Sequence, residues 1–142
     1  MLAIDNSPVH GTAIAVHGRG FLFVGGSGSG KSGLALQMMA LGADLIADDQ
    51  VLLVQTGSHV EISAPEPLKS KVEARFLGII ETTSVRSAPL VWVVDLAQDA
   101  PTRLPQLQYC EVLGVRFGLI NGRNVPNLAS TLTILGRGGR LT

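Results

Sequence analysis

The chain has 142 residues, 46% of them hydrophobic and 15% charged, a composition that belongs to one folded α/β-sized domain and excludes a disordered segment. Eleven basic residues balance eleven acidic ones, which excludes nucleic-acid binding by bulk electrostatics. No apolar run approaches the roughly 18 residues that cross a bilayer, "MLAIDNSPVHG" lacks the pattern of a secretory signal, and the single cysteine, Cys110, leaves no internal disulfide; a cytoplasmic protein with no membrane partner is expected.

In chain order, "GTAIAV" (11–16) and "FLFVGG" (21–26) read as two strands, joined by the hairpin glycines of "HGRG". An eight-residue glycine-rich loop follows, and then "SGLALQMMALG" (32–42), whose apolar residues at 34, 36, 38, 39 and 41 predict a helix stopped by Gly42. "ADLIADD" (43–49) predicts a short buried strand ending on two carboxylates, and residues 50–64 a hairpin turning at Thr56-Gly57-Ser58. "APEPLKSK" (64–71) is a proline-broken loop, "LVWVVDL" (90–96) the strongest buried strand, and "CEVLGVRFGLI" (110–120) a further strand or two. "VPNLASTLTILG" (125–136) predicts a terminal helix capped by Asn124, with Pro126 in its first turn. Together these predict one mixed α/β domain over residues 1–142.

The stretch "GGSGSGKS" (25–32) fits G-x-x-x-x-G-K-[ST] at Gly25, Gly30, Lys31 and Ser32, with a strand before it and a helix after it. The spacing has a direct physical reason. Gly25, Gly26, Ser27, Gly28, Ser29 and Gly30 let successive backbone N–H groups turn inward on phosphate oxygens, and the following helix start adds its dipole. Lys31 is expected to reach the β- and γ-phosphates, and the Ser32 hydroxyl to ligate Mg²⁺. The loop is therefore read as a phosphate cradle for ATP.

Asp48 and Asp49 end the strand after the helix, where a P-loop protein places a metal-holding or water-positioning acid. If one serves the metal, the other is free to take a proton from an attacking hydroxyl. The three histidines differ. His59 and His17 fall in turns, and His10, in "PVHG", is open on the residues alone between surface and site. Charge is unevenly spread: residues 1–100 carry six Lys/Arg against ten Asp/Glu, and residues 101–142 five Arg against one Glu. An acidic half suits a cation and an arginine-bearing half suits anions.

These motifs, read together, resemble the catalytic domain of HPr kinase/phosphorylase. The resemblance rests on "VHGTAIAVHGRGFLFVGGSGSGKSGLALQMMALGADLIADDQV", with the family's Val-His-Gly segment, hairpin, loop and Ala-Asp-Asp. "VEARFLGII" (72–80) is similar to its Leu-Glu-Ile-Arg-Gly-Leu-Gly-Ile-Ile signature, and "GRN" (122–124) to its closing motif. The match runs from about residue 8 to 136.

The resemblance implies a P-loop domain of the phosphoenolpyruvate-carboxykinase-like type, phosphorylating a serine of the phosphocarrier HPr with ATP and Mg²⁺. It also implies a hexamer, and in many members a reverse phosphorolysis that releases pyrophosphate. Carried over by motif, His10 is an active-site histidine, Asp49 the acid/base residue and Asp48 its neighbour and a possible metal or water ligand. Glu73 is a second Mg²⁺ ligand, Arg75 lies in the same signature, and Arg103 is an arginine facing the phosphates. Arg123, in "GRN", is a further phosphate or substrate contact.

Three departures bear on these expectations. The chain resembles short forms without an N-terminal domain. Phe76 replaces the signature's Gly, and Leu119-Ile120-Asn121 replaces Val-Arg-Pro or Val-Lys-Pro, which favours the kinase direction over its reverse. Two alternatives stay open: the same fold acting on another protein or a small hydroxylated substrate, and a nucleotide sensor without transfer.

Overall fold

The computed structural model describes residues 1–142. Its first half runs β1 (Ala3–Ile4), β2 (Val9–His10), β3 (Thr12–Val16), β4 (Arg19–Val24), α1 (Lys31–Ala40), β5 (Asp44–Ala47), β6 (Gln50–Thr56) and β7 (His59–Ser63). A 3-10 turn at Glu66–Leu68 leads to β8 (Lys71–Ala74), β9 (Gly78–Glu81), β10 (Ser87–Asp99), β11 (Gln108–Val112), β12 (Val115–Arg123) and α2 (Leu128–Gly136). No helix is long and apolar enough to cross a membrane.

The main sheet has the order β1-β11-β12-β10-β4-β3-β5. β4, β10 and β12 are mutually parallel, and β5 shares their direction because β3 runs antiparallel to both β4 and β5. The carboxyl ends of four strands therefore open on one edge, where α/β sheets place their ligands. The mixed α/β expectation holds, and the sheet curls further than a flat one: β10 is thirteen residues long and pairs with β4 through Leu90–Asp95 and with β7 through Ser87–Pro89.

Both faces of the sheet are covered, which is why "FLFV" is continuously apolar rather than alternating. Phe21 and Phe23 face α1 and α2, packing with Leu34, Met38 and Leu132, while Leu22 and Val24 face the β6–β7 hairpin with Val51, Val60 and Ile62. The β3–β4 turn holds His17 and Gly18 at φ of 50° and 77°, the geometry that a two-residue hairpin needs.

Helix α1 stops as expected. Gly42, at φ 104°, donates to Met39 O and Ala43 donates to Met38 O, a pair of bonds that only a left-handed residue after the cap allows. Helix α2 begins later than expected. Its N-cap is Asn127, at φ 57° and without a side-chain cap bond, and Asn124 and Pro126 both precede it. Val125 stands before a proline, and that position disfavours helical geometry.

Four short strands went unanticipated. Residues 71–81 form a separate two-stranded hairpin, β8–β9, and short β1 and β2 lie ahead of the first expected strand.

Candidate functional site

The glycine-rich loop leaves the end of β4 and wraps the start of α1. Gly25, Gly28 and Gly30 take φ of 142°, 80° and 99°, which L side chains rarely adopt. A Cβ on Gly25 would also stand 2.7 Å from Ser29 Oγ. Within the loop, Ser29 N donates to Gly26 O, while the amides of Ser27, Gly28, Gly30 and Lys31 make no backbone bond and remain free for an anion. Lys31 is buried, and its ammonium donates to the carbonyls of Gly25 and Gly26 at 2.9 and 3.0 Å. The lysine thus ties the start of α1 back to the beginning of the loop.

Asp48 is the hub of the site. Its carboxylate is buried and accepts Thr12 Oγ1 at 2.8 Å, Ser32 Oγ at 2.9 and 3.0 Å, and the Glu73 backbone N–H at 2.9 Å. Four elements, β3, α1, β5 and β8, converge on one carboxylate. Thr12 was not anticipated, since nothing in "GTAIAV" marks it. Only the register, with Thr12 at the end of β3 next to β5, brings it there.

Asp49 faces the other way. It takes φ 76°, its side chain is 68% exposed, and its Oδ1 lies 3.9 Å from His10 Nε2. Gly11 N donates to its carbonyl, and His10 pairs with Gln50 across β2–β6. The Asp-Asp pair therefore splits into a buried, fixed member and a free, solvent-facing one with a histidine beside it.

The remaining expected residues are spread along the rim. Glu73 is tied to the hub by its backbone, and its side chain faces solvent. Arg75 stands 5.8 Å from the Phe76 ring at the tip of the β8–β9 hairpin, where Phe76 is 98% exposed. Arg103 is exposed in the stretch before β11. Arg123 makes a two-pronged pair with Asp99 at 2.9 and 3.1 Å, joined by Asn124 at 3.2 Å. That hydrogen bonding holds the Asp99 carboxyl below its usual range and raises Arg123.

Two further arginines of the C-terminal part are engaged within the chain. Arg116 stacks 3.7 Å over Tyr109, and Arg137 donates to Leu41 O at 2.6 Å, closing the end of α1.

No group of three or more His, Cys, Asp or Glu side chains meets in a metal-binding cluster. The hard oxygens at the loop are those of Ser32 and Asp48, which suits Mg²⁺, a cation that takes one or two protein ligands and the rest from phosphate and water.

A family model described as the HPr Serine kinase C-terminal domain matches residues 2–90. The chain belongs to that family. Relatives carrying the name HPr kinase/phosphorylase include one from Mycoplasmopsis pulmonis, 46% identical over 77 residues, which cover 54% of this chain and 25% of the relative. One from Azoarcus is 39% identical over 118 residues (74% and 38%), and one from Cupriavidus metallidurans 33% identical over 137 residues (84% and 42%). The chain thus spans between a quarter and about two fifths of these relatives. A solved structure, the Hpr(Ser) kinase/phosphatase from Coxiella burnetii, superposes with a TM-score of 0.78 over 93% of this chain and 95% of that one. At 21% identity it shows the shared fold.

Proposed function

We propose that the chain is an ATP- and Mg²⁺-dependent phosphotransferase domain that moves the γ-phosphoryl group of ATP onto a serine hydroxyl of HPr. The observation that carries the reading is the division of labour in the acid pair: Asp48 is bonded to the loop's own Ser32, and Asp49 is left free beside it.

The loop amides and Lys31 would bind the phosphates. Ser32 and Asp48 would hold Mg²⁺, with Glu73 as a further ligand, and the bound cation would supply charge neutralisation across the phosphates. Asp49 would orient the acceptor serine and take its proton as the Oγ–P bond forms and the bond to the ADP oxygen breaks. His10 is placed to assist Asp49. Arg75, Arg103 and Arg123 are candidates for contacts to phosphate or acceptor, Arg123 only after releasing Asp99. The reverse phosphorolysis and a hexameric assembly rest on family resemblance.

The test is transfer of label from γ-labelled ATP with Mg²⁺ to purified HPr, with Asp49→Asn alongside. Label on a serine that disappears in the variant supports the reading. ATP binding without transfer would overturn it in favour of another acceptor or a sensor. Adding inorganic phosphate and assaying pyrophosphate tests the reverse direction.

A further inference from the structure

The β8–β9 hairpin is bonded to the site at its base and then leaves it. Ser84, just after β9, bridges Leu45 of β5 in parallel, and Val85 N donates to Leu45 O. Further along the hairpin, Glu73 N donates to Asp48, which follows β5. The hairpin therefore runs beside β5 in the direction of β5. Its tip, Arg75-Phe76-Leu77, passes the level of Asp48 and overhangs the carboxyl edge of the sheet by up to roughly 10 Å, at the rise of an extended chain. Asp49 faces solvent at the same edge.

The surface of this tip is unlike the rest of the rim. Phe76 is 98% exposed, Leu77 84% and Ile79 65%. Exposed apolar residues scattered singly are ordinary, but these crowd into one turn, and a clustered apolar surface marks a contact with another molecule. Phe76 also holds φ 70°, a conformation that an aromatic residue resists and a glycine takes freely. No burial within the chain offsets that strain, and strain of this kind gathers where function holds it. Arg75 lies 5.8 Å from the Phe76 ring and has no acidic partner in the chain. Ile79 pairs with Glu73 across the hairpin, so the apolar surface continues from the tip back to the residue that is bonded to Asp48.

We infer that the β8–β9 tip is the arm by which the site recognises a protein acceptor. Phe76 and Leu77 dock on an apolar patch beside the acceptor's serine, and Arg75 meets a carboxylate at the edge of that patch. The inference rests on the proposed phosphotransfer to HPr and deepens it. A small hydroxylated compound with its hydroxyl at Asp49 does not reach the tip, so the arm selects a folded protein over a small acceptor.

Phe76→Gly and Leu77→Ser shorten the arm without altering the loop or the acid pair. Initial rates are measured with HPr varied at saturating Mg²⁺-ATP. Calorimetry gives the affinity for Mg²⁺-ATP, and sedimentation velocity the size of the particle. Both variants are expected to raise the KM for HPr about tenfold or more. The kcat and the affinity for Mg²⁺-ATP should stay within about twofold. Phe76→Gly should also melt at a higher temperature than the unaltered chain, which separates lost recognition from lost folding, and Phe76→Leu should recover part of the KM.

An unchanged KM for HPr in both variants overturns the inference. So does a fall in kcat with KM unchanged, which would make the tip a support for the chemistry. A smaller particle with KM unchanged would make it a contact between copies of the chain, and overturns the inference as well. If the unaltered chain transfers no phosphate to HPr, the HPr reading fails and the inference with it, whereas transfer that both variants leave intact sinks the inference alone.

Discussion

Thr12 donates its hydroxyl to Asp48 at 2.8 Å, with both side chains buried, and so fixes from β3 a carboxylate that β5 supplies and α1 uses. Thr12→Val keeps the shape and removes the donor. It is expected to cost about 1–2 kcal/mol in denaturant unfolding and to slow phosphotransfer by about tenfold. Thr12→Ser restores the donor and should recover most of the rate, which a purely packing role would not produce.

Asp48 and Asp49 are expected to separate under the same substitution. Asp49→Asn falls on an exposed side chain at φ 76°, a conformation asparagine tolerates. Its unfolding free energy should stay within about 0.5 kcal/mol while kcat falls about 100-fold or more. Asp48→Asn points amide hydrogens at existing donors and should lose about 1–3 kcal/mol as well as activity. Paired unfolding curves and initial rates distinguish the two.

Phe76 holds φ 70° with 98% of its surface exposed, where a side chain gains no burial and the backbone resists. Phe76→Gly is expected to stabilise the chain by up to about 1 kcal/mol, and Phe76→Ala, which keeps the Cβ, to give none of that gain. Thermal melts of the two variants check this.

Cys110 lies in the core, where burial first and the Asp95 charge second push its thiol up to about 11 from 9.0. The thiol stays protonated at pH 8, so iodoacetamide should label the folded chain far more slowly than the unfolded chain. The folded chain binds the proton more tightly than the unfolded chain does. This contribution to stability is therefore complete below pH 9 and falls as the pH rises toward 11. Cys110→Ala should flatten that part of the pH profile.

Local rules made the strand–loop–helix arrangement legible: glycine spacing, a strand before it and a helix after it. Gly42 was legible for the same reason, because one left-handed residue ends α1. The acid pair was legible as a pair, and its division was not. Which aspartate is buried depends on Thr12 and the Glu73 backbone, 36 and 25 residues away in sequence, and no local pattern carries that. The same holds for Arg123, whose partner Asp99 is set by the parallel register of β10 and β12. Asn124 and Asn127 both take positive φ, so either asparagine fits the end of a loop; the proline between them decides where α2 starts.

The strand that carries the loop has its parallel neighbour far along the chain, since Phe21 pairs with Trp92 and Val24 with Asp95. On a ribosome, β4 and the glycine loop emerge well before β10. Until β10 follows, β4 has β3 on one side and a bare row of amides and carbonyls on the other. The nascent chain therefore passes through a stage in which its glycine-rich loop exists as sequence without a platform, with an apolar edge open to other chains. Completion of the site coincides with the docking of one thirteen-residue strand.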